Sequence, residues 1–261
     1  MELTQYQVDA FTGTVFAGNP AGVCPLEGWI DDSLMQKIAM ENNLSETAFF
    51  VQKGDVYELR WFTPTVEIDL CGHATLASGY IILRELAPAL DKVVFTSRSG
   101  ILRVSRGDGD LLVMDFPSQP PLPCNAPAEL AAGLRAQPSR VLSSEDYLAL
   151  FENEDDIRAL EPDFEILKGL GLRGVIVTAP GEACDFVSRF FCPGVGINED
   201  PVTGSAHCEL TPYWADRLGR TSLHARQVSS RGGELFCELK NDRVLISGRC
   251  ALFMKGTVML P

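Results

Sequence analysis

Two short segments carry most of the side chains able to do chemistry. Asp69-Leu70-Cys71-Gly72-His73 offers an acid, a thiol and an imidazole, and Asp200-Pro201-Val202-Thr203-Gly204-Ser205 an acid and two hydroxyls. In each, a glycine (Gly72, Gly204) stands at the predicted start of a largely apolar helix, followed by one polar residue and then alanine (Ala74, Ala206). A helix N-terminus presents unpaired N–H groups and about half a positive charge, so it is ready to take an anion, and glycine lets the ligand come close. One such glycine reads as an easing of a tight turn, but two in matching positions favour ligand binding. Asp200 is the stronger of the two acid candidates, since an Asp at a helix start is often only a cap. Of the three histidines, His73 is the candidate, and His207 and His224 read as structural.

A third segment adds Glu46, between Leu44 and the run Ala48-Phe49-Phe50. An apolar surround disfavours the ionised form of a carboxylate, as a proton-shuttling acid/base requires. Spacing alone equally allows a solvated acid at a helix exit. Three other motifs carry no function. Gly169-Leu170-Gly171-Leu172-Arg173-Gly174 has the dinucleotide spacing but follows a helix and precedes a strand, the reverse of what that site needs. Arg106-Gly107-Asp108 falls at a hairpin tip, and Cys71 with His73 lacks a second Cys/His pair at zinc-ligand spacing.

The candidate segments sit inside a long internal repeat. Arg60-Trp61-Phe62-Thr63-Pro64 is followed 8 residues after its proline by Gly72, and Arg189-Phe190-Phe191-Cys192-Pro193 is followed 11 after its proline by Gly204. A further 28 residues lead from Gly72 to Gly100, and 29 from Gly204 to Gly233. A period this long exceeds the ~20–50 residues of solenoids and propellers, so it predicts two related domains. Paired loops on paired domains predict one cleft shared by Glu46, His73, Asp200 and Ser205, where small ligands commonly bind.

The elements that must position these residues alternate between strands and one buried helix per half. Tyr6–Phe11 and the chain after Gly18-Asn19-Pro20 read as strands. Asp31-Asp32-Ser33 caps a helix whose apolar side is Leu34, Ile38 and Met40 and which ends at Asn42-Asn43. Strands at Thr47–Val51, Tyr57–Phe62 and Val93–Thr96 surround a helix at His73–Glu85, and Ile101–Val104 with Leu111–Asp115 forms a hairpin. Pro117-Ser118-Gln119-Pro120-Pro121-Leu122-Pro123 reads as a stiff linker. It sets domains of 1–116 and 117–261, with the last strand able to return to the first. The second half reads as a short helix (Pro127–Leu134), a strand (Asp146–Phe151) and acidic helical turns (Glu154–Leu170). Strands at Val175–Thr178 and Asp185–Phe191, a helix at His207–Leu218 and strands at Leu235–Leu239, Val244–Ser247 and Ala251–Leu260 follow.

The chain has 261 residues, 46% of them apolar, enough for two medium cores. A net charge of −13 argues against nucleic acid or an anionic membrane as partner, but not against a small anionic metabolite, which feels its pocket's local field. No run approaches a membrane helix, and the first residues lack a signal-peptide pattern, so the cytoplasm is the expected compartment. The eight cysteines, without CxxC pairs, read as reduced and mostly buried thiols.

Asn43-Leu44-Ser45-Glu46-Thr47-Ala48-Phe49, Asp69 to Thr75 and Glu199 to His207, with Val8-Asp9-Ala10-Phe11 and Gly18-Asn19-Pro20, resemble the PhzF-like family of phenazine-biosynthesis isomerases over nearly the whole chain. The resemblance implies a diaminopimelate-epimerase-like α+β fold: two pseudo-symmetric domains, each a strand-rich, barrel-like sheet around a central helix, often as a homodimer. It implies Glu46 as the group that moves a proton, and His73, Asp200 and Ser205 as residues that bind and orient substrate. Gly72 and Gly204 supply the anion-binding helix starts, and Cys71 and Asn19 are further candidates. No redox cofactor and no metal is implied. Related two-thiol racemases and epimerases use one Cys on each loop. Here the second place is Thr203, an alcohol with no evident base beside it, which cannot replace a thiol of pKa ~8.5. The expectation is therefore a proton-shifting isomerase, with a Cys71-dependent epimerase, or a binding protein on the same fold, as alternatives.

Overall fold

The computed structural model describes residues 2–260. The chain divides into two compact units, one of Met1–Asp115 with Ser247–Pro261, the other of Phe116–Ile246. In the first unit, strands β1 (Glu2–Ala10) and β2 (Asn19–Leu26) precede helix α1 (Asp32–Asn42), and β3 (Glu46–Lys53), β4 (Val56–Phe62) and the short β5 (Glu67–Ile68) precede helix α2 (Gly72–Ile81). One π-helical turn, Ile82–Leu86, extends α2 before β6 (Lys92–Ser97), β7 (Gly100–Arg106) and β8 (Leu112–Pro117). The C-terminal strand, Cys250–Met259, pairs antiparallel with β1 along its whole length, so the last strand returns to the first unit. From that strand the order is β1, β2, β3, β4, β6, β7, β8; β2–β3 and β4–β6 are parallel and the other pairs antiparallel.

The second unit repeats this plan. Its elements are β9 (Leu122–Pro123), α3 (Ala128–Leu134), β10 (Arg140–Ser143), β11 (Tyr147–Leu150), α4 (Glu154–Arg158), α5 (Phe164–Lys168), β12 (Val175–Pro180), β13 (Phe186–Cys192), β14 (Ile197–Asp200), α6 (Ala206–Leu218), β15 (Ser222–Gln227), β16 (Gly233–Lys240) and β17 (Arg243–Gly248). Here β11–β12 and β13–β15 are the parallel pairs, while β9–β10, β10–β11, β12–β13 and β15–β16 are antiparallel. The repeat holds to single residues. Thr47 faces Phe62 as Val175 faces Phe191, Trp61 faces Ile68 as Phe190 faces Asp200, and Ser97 faces Gly100 as Gln227 faces Gly233. Arg60 forks onto Glu67 and lies 5.2 Å over the Phe62 ring; Arg189 forks onto Glu199 and lies 4.9 Å over Phe191. A planar guanidinium suits this double use, pairing in its plane and stacking on its face.

Each sheet is covered on both faces. Outside, Met35, Ile38 and Ala39 of α1 pack with Leu3, Cys24, Phe49 and Phe62, and Leu130, Leu134 and Leu167 of α3 and α5 pack with Val175, Val177, Val187 and Phe191. Inside, α2 packs against β1, β2, β3, β7 and the C-terminal strand, and is buried along nearly its whole length. Gly79 lets it come down on β7, because a Cβ there would lie 2.6 Å from Val104. Helix α6 contains Pro212, which leaves the carbonyl of Cys208 without its helical donor. That carbonyl instead accepts from the backbone N–H of Gln119, at 2.9 Å, in the proline-rich stretch expected to be a linker.

Some sequence readings need correction. Met40 is exposed; the apolar side of α1 is Met35, Ile38 and Ala39, which face the sheet. Strands β5, β10, β14 and β15 went unread because they are short or polar: in Ser222–Gln227 only Leu223 and Ala225 are apolar inward residues, and the third inward side chain is Gln227. The eight cysteines are all free, and among the described residues no helix is long and apolar enough to cross a membrane.

Candidate active site

Parallel strands β2 and β3 begin side by side, with Ala21 opposite Glu46, and α2 starts at the same end of the first unit. This brings Asn19, Glu46, Cys71 and His73 together. His73 Nε2 lies 3.1 Å from Glu46 Oε2, while its Nδ1 lies 3.1 Å from Asn19 Nδ2 and 3.5 Å from Cys71 Sγ. All four residues are buried. Glu46 Oε2 and His73 Nε2 stand at ion-pair distance, with no other hydrogen-bond partner for either atom among the described residues. The apolar surround expected of Glu46 is thus interrupted by the imidazole edge. Gly18 sets the position of Asn19. Its φ is +67°, and a Cβ would lie 2.2 Å from the carbonyl oxygen of Ala10, so only glycine fits the turn.

Cys71 is the N-cap residue of α2. Burial, reinforced by the Glu46 charge, pushes its thiol up to about 11, so it stays protonated near neutral pH. Glu46, Cys71 and His73 each offer a ligand atom within 4.8 Å of the others. The thiol and the carboxylate address opposite ring nitrogens, however, and one ion can take only one of them. The arrangement suits proton transfer better than metal binding.

In the second unit, Asp200 ends β14 and Thr203, Gly204 and Ser205 lead into α6. The Thr203 hydroxyl donates to Asp200 Oδ2 at 2.5 Å. Gln227, buried at the end of β15, donates from Nε2 to the Asp200 carbonyl at 2.7 Å and to Thr203 Oγ1 at 3.2 Å, and accepts from Thr203 N–H at 2.9 Å. Sequence reading missed Gln227, whose only signal was a polar residue three before the Ser230-Arg231-Gly232-Gly233 turn. It also took Thr203 to have no base beside it. Asp200 is that base, although a carboxylate orients an alcohol without ionising it. His207 is structural, as expected: Nδ1–H donates to the Thr203 carbonyl at 2.8 Å, and burial pulls the ring down to about 4, so it is neutral. Asp69 is exposed and faces Arg98, outside the cluster.

Both glycine loops are held alike from behind. Ser99 Oγ donates to the carbonyl of Asp69 at 2.6 Å, and Ser229 Oγ to that of Pro201, its counterpart, at 2.8 Å. Thr75 Oγ1 donates to the carbonyl of Cys71 four residues back, as His207 does to that of Thr203. Both helix starts are thus held by side-chain hydrogen bonds to the carbonyls before them.

Two pseudo-symmetric, strand-rich repeats around buried helices, with an acid and an imidazole at one glycine-marked helix start, define an isomerase of the diaminopimelate-epimerase-like fold. The chain matches the phenazine biosynthesis-like protein family over residues 8–256 and belongs to it. It is 55% identical to an uncharacterized isomerase of Pseudomonas aeruginosa, over 100% of both chains. A crystal structure of a PhzF-family phenazine biosynthesis protein from Enterococcus faecalis superposes with a TM-score of 0.97 at 48% identity, again over 100% of both chains. A predicted epimerase of Pseudomonas aeruginosa shares the fold, with a TM-score of 0.75 at 19% identity over 99% of this chain and 100% of that one.

Proposed function

We propose that this isomerase shifts a proton within a small carboxylate-bearing metabolite, without a bound cofactor, and that Glu46 is the acid/base. The observation that carries this reading is the buried Glu46 carboxylate, poised 3.1 Å from His73 Nε2 beside the start of α2. Glu46 takes the proton from one carbon and returns it to another, while the electron pair delocalises toward the substrate's carboxylate-bearing end. Free N–H groups at a helix start stabilise the enol-like charge that develops. His73 orients substrate at Glu46. Asp200 and Ser205 bind the polar end of the substrate, a role that rests on the family resemblance and on the rigid support of their loop.

The test is mass spectrometry of cyclic and amino-acid-derived carboxylates incubated in heavy water, with isomers followed by chromatography. Wild type should exchange a carbon-bound hydrogen after dialysis against chelator, and Glu46→Gln should not. Turnover by Glu46→Gln at the wild-type rate would remove Glu46 from the mechanism. For Asp200→Asn, a rise in KM larger than the fall in kcat is expected; the reverse would make it a catalytic group.

A second reading, an epimerase using Cys71, is favoured by the thiol's 3.5 Å approach to His73 Nδ1. Thr203 at the matching position and the raised Cys71 pKa speak against it.

A further inference from the structure

Trp61 is 1% exposed, and its Nε1–H has no hydrogen-bond partner among the described residues. The other two tryptophans are satisfied: Trp29 Nε1–H donates to Glu58 at 2.7 Å and Trp214 Nε1–H to Thr178 at 3.0 Å. Leaving a buried donor unpaired costs about 1–3 kcal/mol, so an orphan of this kind asks for a reason.

Its place in the sheet supplies one. Trp61 stands opposite Ala48, and Thr47 opposite Phe62. Phe49 and Phe62 face α1, so Ala48, Trp61 and Glu46 share the other face, on which α2 packs. Glu46 is then the diagonal neighbour of Trp61, within reach of a side chain as long as an indole. In the second unit the ring at the matching strand position fills the space beside the counterpart of Glu46. The counterpart of Glu46 is Gly174 and that of Trp61 is Phe190, and a Cβ on Gly174 would lie 2.7 Å from two atoms of the Phe190 ring. Position 46 and the ring at position 61 are neighbours in this frame. Only the first unit has a ring with an N–H donor at this strand position.

We propose that Trp61 Nε1–H donates a hydrogen bond to an oxygen of the substrate conjugated with the carbon that Glu46 deprotonates, and so selects substrates carrying such an oxygen. This rests on Glu46 as the base. An indole N–H donates only and does not titrate, so it accepts a carboxylate, carbonyl or hydroxyl oxygen and rejects an ammonium group. When Glu46 takes the C–H proton, the bonding pair moves into the conjugated system and negative charge grows on that oxygen. The indole bond strengthens as it does, and the charge disperses again when the proton returns to another carbon.

Benzoate, a planar conjugated carboxylate, is the probe. In the protein labelled with 15N-tryptophan, benzoate should move the Trp61 indole resonance downfield and leave those of Trp29 and Trp214 in place; Trp61→Phe assigns it. Replacing Trp61 with benzothienylalanine, which keeps the ring shape and removes only the donor, should weaken benzoate binding about tenfold, the worth of one such bond. The melting temperature should be unchanged. A static Trp61 resonance overturns the proposal. So does equal affinity in the benzothienyl variant, or no binding at about 50 mM, well above millimolar affinity. Glu46→Gln should still shift the Trp61 resonance with benzoate, so a failure of the acid/base assignment would appear in proton exchange and a failure of this one in the indole resonance.

Discussion

The two glycine loops of this protein share a frame and differ in nearly every reactive group. Arg60–Glu67 and Arg189–Glu199, the Phe62 and Phe191 rings, and the Ser99 and Ser229 clamps occur in both units. By the same strand registers, Glu46 corresponds to Gly174 and Asp200 to Ile68. Counting from the paired glycines, Cys71 corresponds to Thr203 and His73 to Ser205. The side chains present twice hold the loop, whereas those present once are the ones to which the proposed function assigns chemistry. The second unit has a glycine where the proposed acid/base stands in the first.

The comparison is broken most directly at Glu46. Glu46→Gln keeps size and polarity but cannot carry a proton, and the rate of substrate hydrogen exchange should fall about 10³-fold with the melting temperature little changed. A smaller fall would mean that the once-only groups are not where the chemistry lies.

Two glycines test the scaffold side. Gly18→Ala meets both a positive φ and the Ala10 carbonyl, and should lower unfolding free energy by about 2–4 kcal/mol in urea titrations. Gly174→Ala puts a Cβ against the Phe190 ring and the Phe191 carbonyl, and should cost about 1–3 kcal/mol. Neutral behaviour at position 174 would undo its assignment as the filled-in counterpart of Glu46.

Glu209, wholly buried in α6, has Ala77 as its counterpart in α2 and sharpens the comparison by pH. It accepts from the N–H of Asp146 at 3.1 Å, and burial, with the nearby Asp146 charge, pushes it up to about 8. In the unfolded chain a Glu titrates near ~4.3. Its contribution is therefore complete below that pH, declines as pH rises, and is lost on passing about 8. Glu209→Gln cannot ionise, so it should gain on wild type by about 2 kcal/mol or more between pH 5 and pH 9. Parallel stability curves for the two proteins would show that Glu209 is ionised in the folded state throughout.

The smallest effect is expected at Cys71. Its thiol is protonated near neutral pH and faces no second thiol across the repeat, so Cys71→Ser should change turnover by less than about tenfold. A loss beyond about 100-fold, roughly 2.7 kcal/mol of barrier, would favour the thiol epimerase instead.

Much was legible in the chain itself. Two aromatic-proline landmarks with matching glycines declared the duplication, because a sheet that buries both faces and turns sharply into a helix needs those residue types at those distances. Capping chemistry at Asp31 and Asn43 gave the bounds of α1, and His73 could be nominated from its place at a glycine-marked helix start, whereas spacing left Glu46 open and the family resemblance singled it out. What could not be read depended on contacts between residues remote in sequence. Asn19 reaches His73 across 54 positions and Gln227 reaches Asp200 across 27, and no local pattern encodes such pairs. Whether Thr203 had a base beside it, and whether the Trp61 donor was satisfied, were questions of register and packing. The order of residues thus determined which groups exist and which elements carry them; the tertiary structure alone decided which face each other, because hydrogen bonding and burial act over a few ångströms of space whatever the distance along the chain.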